Sequence, residues 1–450
     1  MNIRFWNSSR RSMSAVYCML HVIILLVVLV QTTVQARVLR VSRSGSGLNG
    51  QTWETAYRLI GEAIQDASPG DEIWVAKGVY DEALRVEIDI EIYGGFEGSD
   101  GETLNEHRDW THNVTTIDAA TTDIPGVLCI ARFVLDGFTI TGSTHRGISV
   151  ANGASGEILH CKISGNTASQ GGGLWVRDSA VTVEDCEITG NQSSGGGGGV
   201  FIQRSTVTLT DCLIERNTAG YGGGISDGRS TILMNRCIVR NNTAGDILGG
   251  FGGGIYHGGD LMIMENCLIY DNFSARGSAI HFPSSDGDSL EVRNCTIIGK
   301  TDQVDFSWLD LPPSITNSIL VGSDNVVQPV FNNALDATAT YSCIQGGGYP
   351  GEGNIDADPL FVDLEDGDFH LKPESPCIDT GSTIGPEDDL DGNPRPVDVP
   401  GLGRDGIDAY DMGAYEFQEG ILPPNADLDG DGKVDAKDLM LLQLQWQSGK

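Results

Sequence analysis

Between Cys161 and Lys300 the chain says nearly the same thing six times: CKISGN at Cys161, CEITGN at Cys186, CLIERN at Cys212, CIVRNN at Cys237, CLIYDN at Cys267 and CTIIGK at Cys295. Successive cysteines are 25, 26, 25, 30 and 28 residues apart, and a glycine run follows most units, as in GGGGG from Gly195. A repeat of this length defines a solenoid in which each unit packs only on its neighbours.

Alternation inside each unit supplies the secondary structure. In AVTVEDCEI, Val181, Val183, Cys186 and Ile188 hold the inward positions of two short strands, with Thr182, Glu184 and Glu187 facing out. The frame recurs at Val207, Leu209, Cys212 and Ile214, again at Ile232, Met234, Cys237 and Val239, and again at Met262, Met264, Cys267 and Ile269. A third strand follows each glycine run, at Leu174, Val200, Ile225, Ile255 and Ile280. Three strands per coil of about 25 residues, with no helical period between them, predict a parallel β-helix that rises about 4.8 Å per coil.

The conserved spacing then gives each repeated residue a task. The cysteines form an interior column of small thiols. Asn166, Asn191, Asn217, Asn242 and Asn272 stack at one turn, and the glycines allow positive φ at another. In-register cysteine side chains point the same way about 4.8 Å apart, beyond the usual Cβ separation of a disulfide, so the column is expected to stay reduced.

Composition bounds the partners. The formal net charge is −34, and residues 1–36 contain Arg4, Arg10 and Arg11 and no acid, so their removal would leave −37. Nucleic acid and anionic membrane, which need a basic footprint, are excluded as partners. Residues 1–36 read as a signal peptide: a basic start, an apolar run from Val16 to Val30 broken by His21, and Val34-Gln35-Ala36 with the small-residue spacing of a cleavage site. The run is short for a membrane span, so the protein is expected to be secreted or held at the extracellular surface, with no membrane span after signal removal.

The repeats CxIxGN…GGG resemble the right-handed parallel β-helix repeats of the pectin-lyase-like superfamily and of polymorphic surface proteins. SGSGLNGQTWETAYRLIGEAIQDASPGDEIWVAKGVY, IYGGFEG, LDGFTITG and DPLFVDLEDGDFHLKPESPCIDTG with DMGAYEF resemble secreted β-helix proteins that end in sorting or anchoring modules. The resemblance spans nearly all of residues 37–418 and implies an all-β, right-handed parallel β-helix. The superfamily holds lyases, glycosidases, epimerases, adhesins and inert scaffolds, so it leaves the activity open.

Five segments follow: the signal peptide 1–36, an N-terminal cap with the first coils 37–123, regular repeats 124–300, irregular final coils and a C-terminal cap 301–420, and a linker with a calcium-binding repeat 421–450. In WETAYRLIGEAIQDA, Trp53, Ala56, Tyr57, Ile60 and Ile64 predict one face of a capping helix that ends before Ser68-Pro69-Gly70.

In ADLDGDGKVDAKDLMLLQLQW, Asp427, Asp429 and Asp431 take positions 1, 3 and 5 of an EF-hand-like loop, Gly432 position 6, the Lys433 carbonyl position 7, Asp435 position 9 and Asp438 position 12. That spacing surrounds calcium with oxygens, and the apolar helix LMLLQLQW follows. It resembles one calcium repeat of a type I dockerin, which implies a cohesin-type protein as a further partner. One such repeat is present where a dockerin carries two, and the helix before it is missing. Asp389, Asp391 and Gly392 imitate the start of such a loop but lack later ligands, so DDLDGNPRP is expected to be a turn.

Two candidate sites lie on the body. The outward neighbours in the third strands form a column of Trp175, Phe201, Ser226, Tyr256 and His281, a row of rings on which a polysaccharide or cell-surface glycan can stack. Asp227 and His257 occupy equivalent places in neighbouring coils and are candidates for general acid–base catalysis, with Arg204 and Arg229 as contacts for an acidic sugar. A structural pair at a strand end is the competing account of Asp227 and His257, and rings stacked on one another or under a loop that of the column.

Three functions remain open: a glycan- or partner-binding β-helix, a polysaccharide lyase or glycosidase, and a structural adhesin or spacer. The acidity opposes a polyuronate substrate unless calcium bridges it. A glycosidase needs two carboxylates about 5–9 Å apart. The outward columns lack them, since Glu184 is followed one coil later by Thr210 and Glu265 by Arg293.

Overall fold

A computed structural model describes residues 36–245, 249–282, 289–299, 313–322, 338–346, 349–404 and 407–418. The chain divides into residues 1–37 and 38–450, and the architecture below belongs to the second unit. Nearly all of the signal segment, and the whole calcium motif with Asp427, Asp429, Asp431, Lys433, Asp435 and Asp438, lie outside the described residues.

The expected coils are present as a parallel β-helix. The first sheet has twelve strands, from Val38–Val41 to Thr338–Thr340, and the second eleven, from Gly78–Tyr80 to Cys343–Ile344. The third has eight, from Leu84–Val86 to Ile280–His281. Register is strict: Val181 pairs with Val207, Val207 with Ile232 and Ile232 with Met262. The predicted inward residues of both strands are buried in one continuous apolar core. The first two sheets continue past residue 300, through Ser314–Thr316, Ile319–Val321 and the two strands that end them.

Each repeated residue type satisfies backbone or side-chain groups of the adjacent coil. The Cys161 N–H donates to Cys186 Sγ at 3.3 Å, and the Cys186 thiol in turn donates to the Glu184 carbonyl at 3.2 Å. Ser318 and Ser342 continue the column where cysteine stops, accepting from the N–H groups of Cys295 and Ser318 at 3.2 and 3.1 Å. All nine cysteines among the described residues are free and buried. In the asparagine column, Asn191 Nδ2 donates to Asn217 Oδ1 at 3.1 Å, and Asn217 Nδ2 donates both to Asn242 Oδ1 at 3.0 Å and to the Ile188 carbonyl at 2.8 Å. These amides occupy the interior of the turn, where an unpaired backbone group would cost about 1–3 kcal/mol.

The glycine runs serve two purposes. Gly197 takes φ of +64° at the turn, a conformation that favours glycine. A Cβ on Gly198 would lie 2.5 Å from the Gly223 carbonyl of the next coil, so this segment stacks only without side chains. The chain between asparagine and glycine adds a small fourth sheet, Thr167–Ala168, Gln192–Ser193, Thr218–Ala219 and Thr243–Ala244, too short to show a period of its own.

The turn between the first and second sheets is a single left-handed residue just before each cysteine: His160, Asp185, Asp211, Arg236, Asn266 and Asn294, all with φ near 50°. Asn and Asp tolerate this region through local hydrogen bonding.

The N-terminal helix is shorter than expected. It spans Ile60–Asp66 rather than starting at Trp53. Thr52 and Thr55 bond to each other and to the local backbone, which holds a turn, and Glu82 accepts the N–H groups of Ile60 and Gly61 and fixes the helix start. Trp53 leaves the helical face and packs with Trp74 and Phe96, while Ile60 and Ala63 enter the main core.

Toward the C-terminus, residues 360–404 and 407–417 cover the outer face of the second sheet. Phe361, Phe369, Leu371 and Tyr415, which include residues of an antiparallel hairpin (Phe361–Asp363 with Asp368–Leu371), pack on Leu268, Tyr270 and Ile319. The buried Arg395 donates to Glu416 Oε2, Asn266 Oδ1 and the Asp411 carbonyl, each at 3.0 Å, which joins this segment to the coils. DDLDGNPRP is a turn: Asp389 Oδ1 accepts the N–H groups of Asp391 and Asn393.

Candidate carbohydrate-binding face

The third sheet places the ring column in register. Trp175 pairs with Phe201, Phe201 with Ser226, Ser226 with Tyr256 and Tyr256 with His281. Alternation turns all five outward, away from Leu174, Val200, Ile225, Ile255 and Ile280, which are fully buried.

The column is not a row of free rings. Trp175 and Tyr256 are half-buried, whereas Phe201 and His281 are only 6% exposed. A second aromatic line on the neighbouring turn packs against the column. Tyr221 and Phe251 are bridge partners there, and the Tyr221 ring lies over Gly196 and beside Ser226. Tyr221 thus fills the gap that Ser226 leaves in the column. Tyr221 and Tyr256 centroids are 5.1 Å apart, Tyr256 and His281 5.5 Å, and Phe251 and His281 4.8 Å. Offset and tilted contacts at these separations stabilise aromatic pairs.

Two cations frame the strip. The Arg146 guanidinium stands 4.5 Å from the Trp175 centroid and Arg276 5.7 Å from that of Phe251. Burial lowers the Arg146 pKa and raises that of the Tyr256 hydroxyl. Phe251 keeps 37% of its surface in solvent. Tyr221 and Phe251 escaped the sequence reading because they stand in the glycine runs and not on strands. The available signal was their replacement of a glycine just before GGG, as YGGG and FGGG.

Asp227 and His257 are brought together but face the other way. They are register partners, and His257 Nδ1 lies 2.7 Å from Asp227 Oδ1. Counting from Ile225 inward and Ser226 outward, the period of two sends Asp227 inward, and likewise His257. They are 4% and 0% exposed, stacked between Ile202 and Phe282, with the His257 and Phe282 rings 4.7 Å apart. A polymer lying on the surface does not touch either side chain.

Arg204 and Arg229 do not join the pair. Both are exposed left-handed turn residues just past the third sheet, and Arg204 makes two 2.7 Å bonds to Asp178. The Arg204 guanidinium in turn holds the Asp178 carboxyl below its ordinary range. The outward registers Glu184 with Thr210 and Glu265 with Arg293 place no second carboxylate opposite either glutamate. Among the described residues, no cluster of three metal-ligating side chains occurs, and no helix is long and apolar enough to cross a membrane.

Residues 130–260 match the family described as a right handed beta helix region. No curated protein sequence matches the chain. Among solved structures, the chain is similar to pectate lyase Pel9A, at 12% identity and a TM-score of 0.44, covering 85% of this chain and 98% of that one. It also aligns with the pectin methylesterase from Aspergillus niger in its penultimately deglycosylated form, at 14% identity and a TM-score of 0.25, covering 77% of this chain and 93% of the enzyme. Superpositions this loose say nothing about a shared substrate. The family match and the strand ladders together establish a right-handed parallel β-helix.

Proposed function

We propose that this protein is an exported β-helix that binds polysaccharide along the third sheet and carries a calcium-stabilised, dockerin-like tail. The observation that carries the binding function is the aromatic strip. Trp175, Tyr221, Tyr256 and Phe251 keep part of their surface in solvent and line several successive coils on one face. Apolar sugar faces pack on aromatic faces, and rings already fixed by their neighbours lose little conformational freedom on binding. The net charge of −34 favours a neutral glycan over a polyuronate.

The segment 1–36 supports export, and the oxygen spacing from Asp427 to Asp438 supports calcium and, through the dockerin resemblance, a cohesin-type partner. The inward orientation of Asp227 and His257 favours binding over cleavage, because no surface carboxylate or imidazole is thereby added to the strip.

Affinity electrophoresis of the full chain through gels that contain neutral or uronic polysaccharides, with calcium or with chelator, tests this function. A neutral glycan should retard the protein, and Trp175→Ala with Tyr256→Ala should reduce the retardation at least tenfold while the protein stays folded, with a lowered melting temperature for the lost ring contacts but an unchanged far-UV spectrum. Retardation left at the wild-type level by this double substitution would place binding elsewhere.

A further inference from the structure

A second surface of the coil body is built as a site. The outer column of the second sheet runs in register through Thr139, Lys162, Glu187, Leu213, Ile238 and Leu268. From Ile238 onward the C-terminal segment covers it. Before Thr139 the loop that bears Trp110 flanks it. Between them remains an open groove of about 520 Å³, lined by Trp110, Thr139, His160, Lys162, Asp185 and Glu187 among others. Thr139 to Leu213 is three coil spacings of about 4.8 Å, room for roughly three sugar units.

The groove wall is braced from below. Arg108 donates to the buried Asp136, whose Oδ1 lies 2.9 Å from His160 Nδ1. Trp110 packs on the same assembly, 4.1 Å from the His160 centroid and 4.9 Å from the Arg108 guanidinium. With Nδ1 committed to Asp136, the other nitrogen of His160 is directed to the groove side, 3.8 Å from the carboxylate of Asp185, whose side chain is 66% exposed. One coil apart on the floor, Lys162 Nζ and Glu187 Oε2 are 2.5 Å apart. A fixed ring and a held imidazole, beside polar groups with spare donors and acceptors, make a surface for hydroxyl-rich ligands.

We propose that this groove is a second saccharide site, separate from the aromatic strip, that takes a short run of neutral sugar across the second sheet. One sugar ring packs against Trp110, and hydroxyls meet His160 Nε2, Asp185, Lys162 and Glu187. Lys162 pairs with Glu187 and Arg236 with Asp211, which leaves the exposed Asp185, among the described residues, as the lining carboxylate without a cationic partner of its own. On a chain of net charge −34 the groove therefore favours neutral sugar over uronate.

Calorimetric titration of the full chain with cellohexaose, xylohexaose, mannohexaose and hexagalacturonate tests the site. With the Trp175→Ala, Tyr256→Ala protein as background, a neutral hexaose should still bind at one site, and adding Trp110→Ala should weaken that binding at least tenfold. Lys162→Gln with Glu187→Gln, an exposed pair whose loss leaves the wall intact, should weaken it severalfold and guards against misfolding of the Trp110 variant. Binding that both variants leave unchanged, or a preference for hexagalacturonate, overturns the groove site and leaves the strip untouched. Absence of neutral-hexaose binding in that background overturns it also. Retention of groove binding when the strip substitutions abolish polysaccharide retardation supports two separate sites.

Discussion

Arg395 Nη1 donates to Asn266 Oδ1 at 3.0 Å across 129 positions of sequence, and this contact ties the C-terminal segment to the left-handed turn of a coil. The same guanidinium holds Glu416 at 3.0 Å with no side-chain exposure on either partner. Burial raises the pKa of Glu416, and that of Asp411 well above the ordinary carboxylate range, and the arginine opposes both shifts. Arg395→Met should therefore destabilise the protein by about 3–5 kcal/mol, because it leaves a buried carboxylate without its counter-charge. Arg395→Lys should recover little, since an ammonium lacks the planar fork that serves several acceptors at once. Urea unfolding midpoints decide it, and a lysine variant as stable as wild type would show that charge alone suffices.

Asp227 and His257 form a buried pair without a surface role, and a double-mutant cycle should display this. Asp227→Ala leaves the His257 Nδ1 without its acceptor and should cost about 1–3 kcal/mol. Replacing both, as Asp227→Leu with His257→Phe, should be close to neutral, since well-packed apolar residues often substitute for buried ionic pairs. Additive losses in thermal unfolding would contradict coupling between the two.

His370 lies between two carboxylates, with Nδ1 2.6 Å from Asp368 and Nε2 2.9 Å from Asp391. Burial lowers its pKa, but the bonds to Asp391 and Asp368 outweigh burial and leave it above its ordinary value. A raised histidine pKa means stability that is fully present below the unfolded value of about 6.5 and is lost as pH rises through the folded value. Melting temperatures of wild type should thus fall over that window relative to His370→Gln. Parallel pH profiles for the two proteins would remove the ion pairs from the account.

The tail should bind calcium through Asp427, Asp429, Asp431, the Lys433 carbonyl, Asp435 and Asp438. Titration of calcium into the full chain should show one site that Asp427→Ala with Asp431→Ala abolishes, and magnesium should not replace it, because it prefers a smaller octahedral shell. Calcium heat that persists in the double variant would assign the ion to another part of the molecule.

The coils were legible because in-register stacking repeats every requirement once per turn: a thiol small enough for a crowded interior, an amide with both donor and acceptor, and a glycine where Gly223 leaves no space for a Cβ at Gly198. The fate of Asp227 was equally encoded, since alternation from Ile225 sends it inward, but its place beside His257 invited a catalytic role as well as a structural one. Tyr221 and Phe251 were hidden because turn residues carry no period. The helix beginning at Ile60 depended on Glu82, distant in sequence, and the Trp110 groove depended on a loop, a strand ladder and a C-terminal cover that no single stretch of sequence joins.

The strict register from Val181 through Met262 makes the body a ruler. Its gradations are single coils, so the stretch of second sheet left open between the Trp110 loop and the segment held by Arg395 is counted in whole turns rather than adjusted continuously. Gain or loss of one 25-residue unit in that stretch would change the reach of the groove by one step of about 4.8 Å while every column stayed aligned. Length of ligand is thereby a property that such a chain can alter by duplication, without redesign of a single contact.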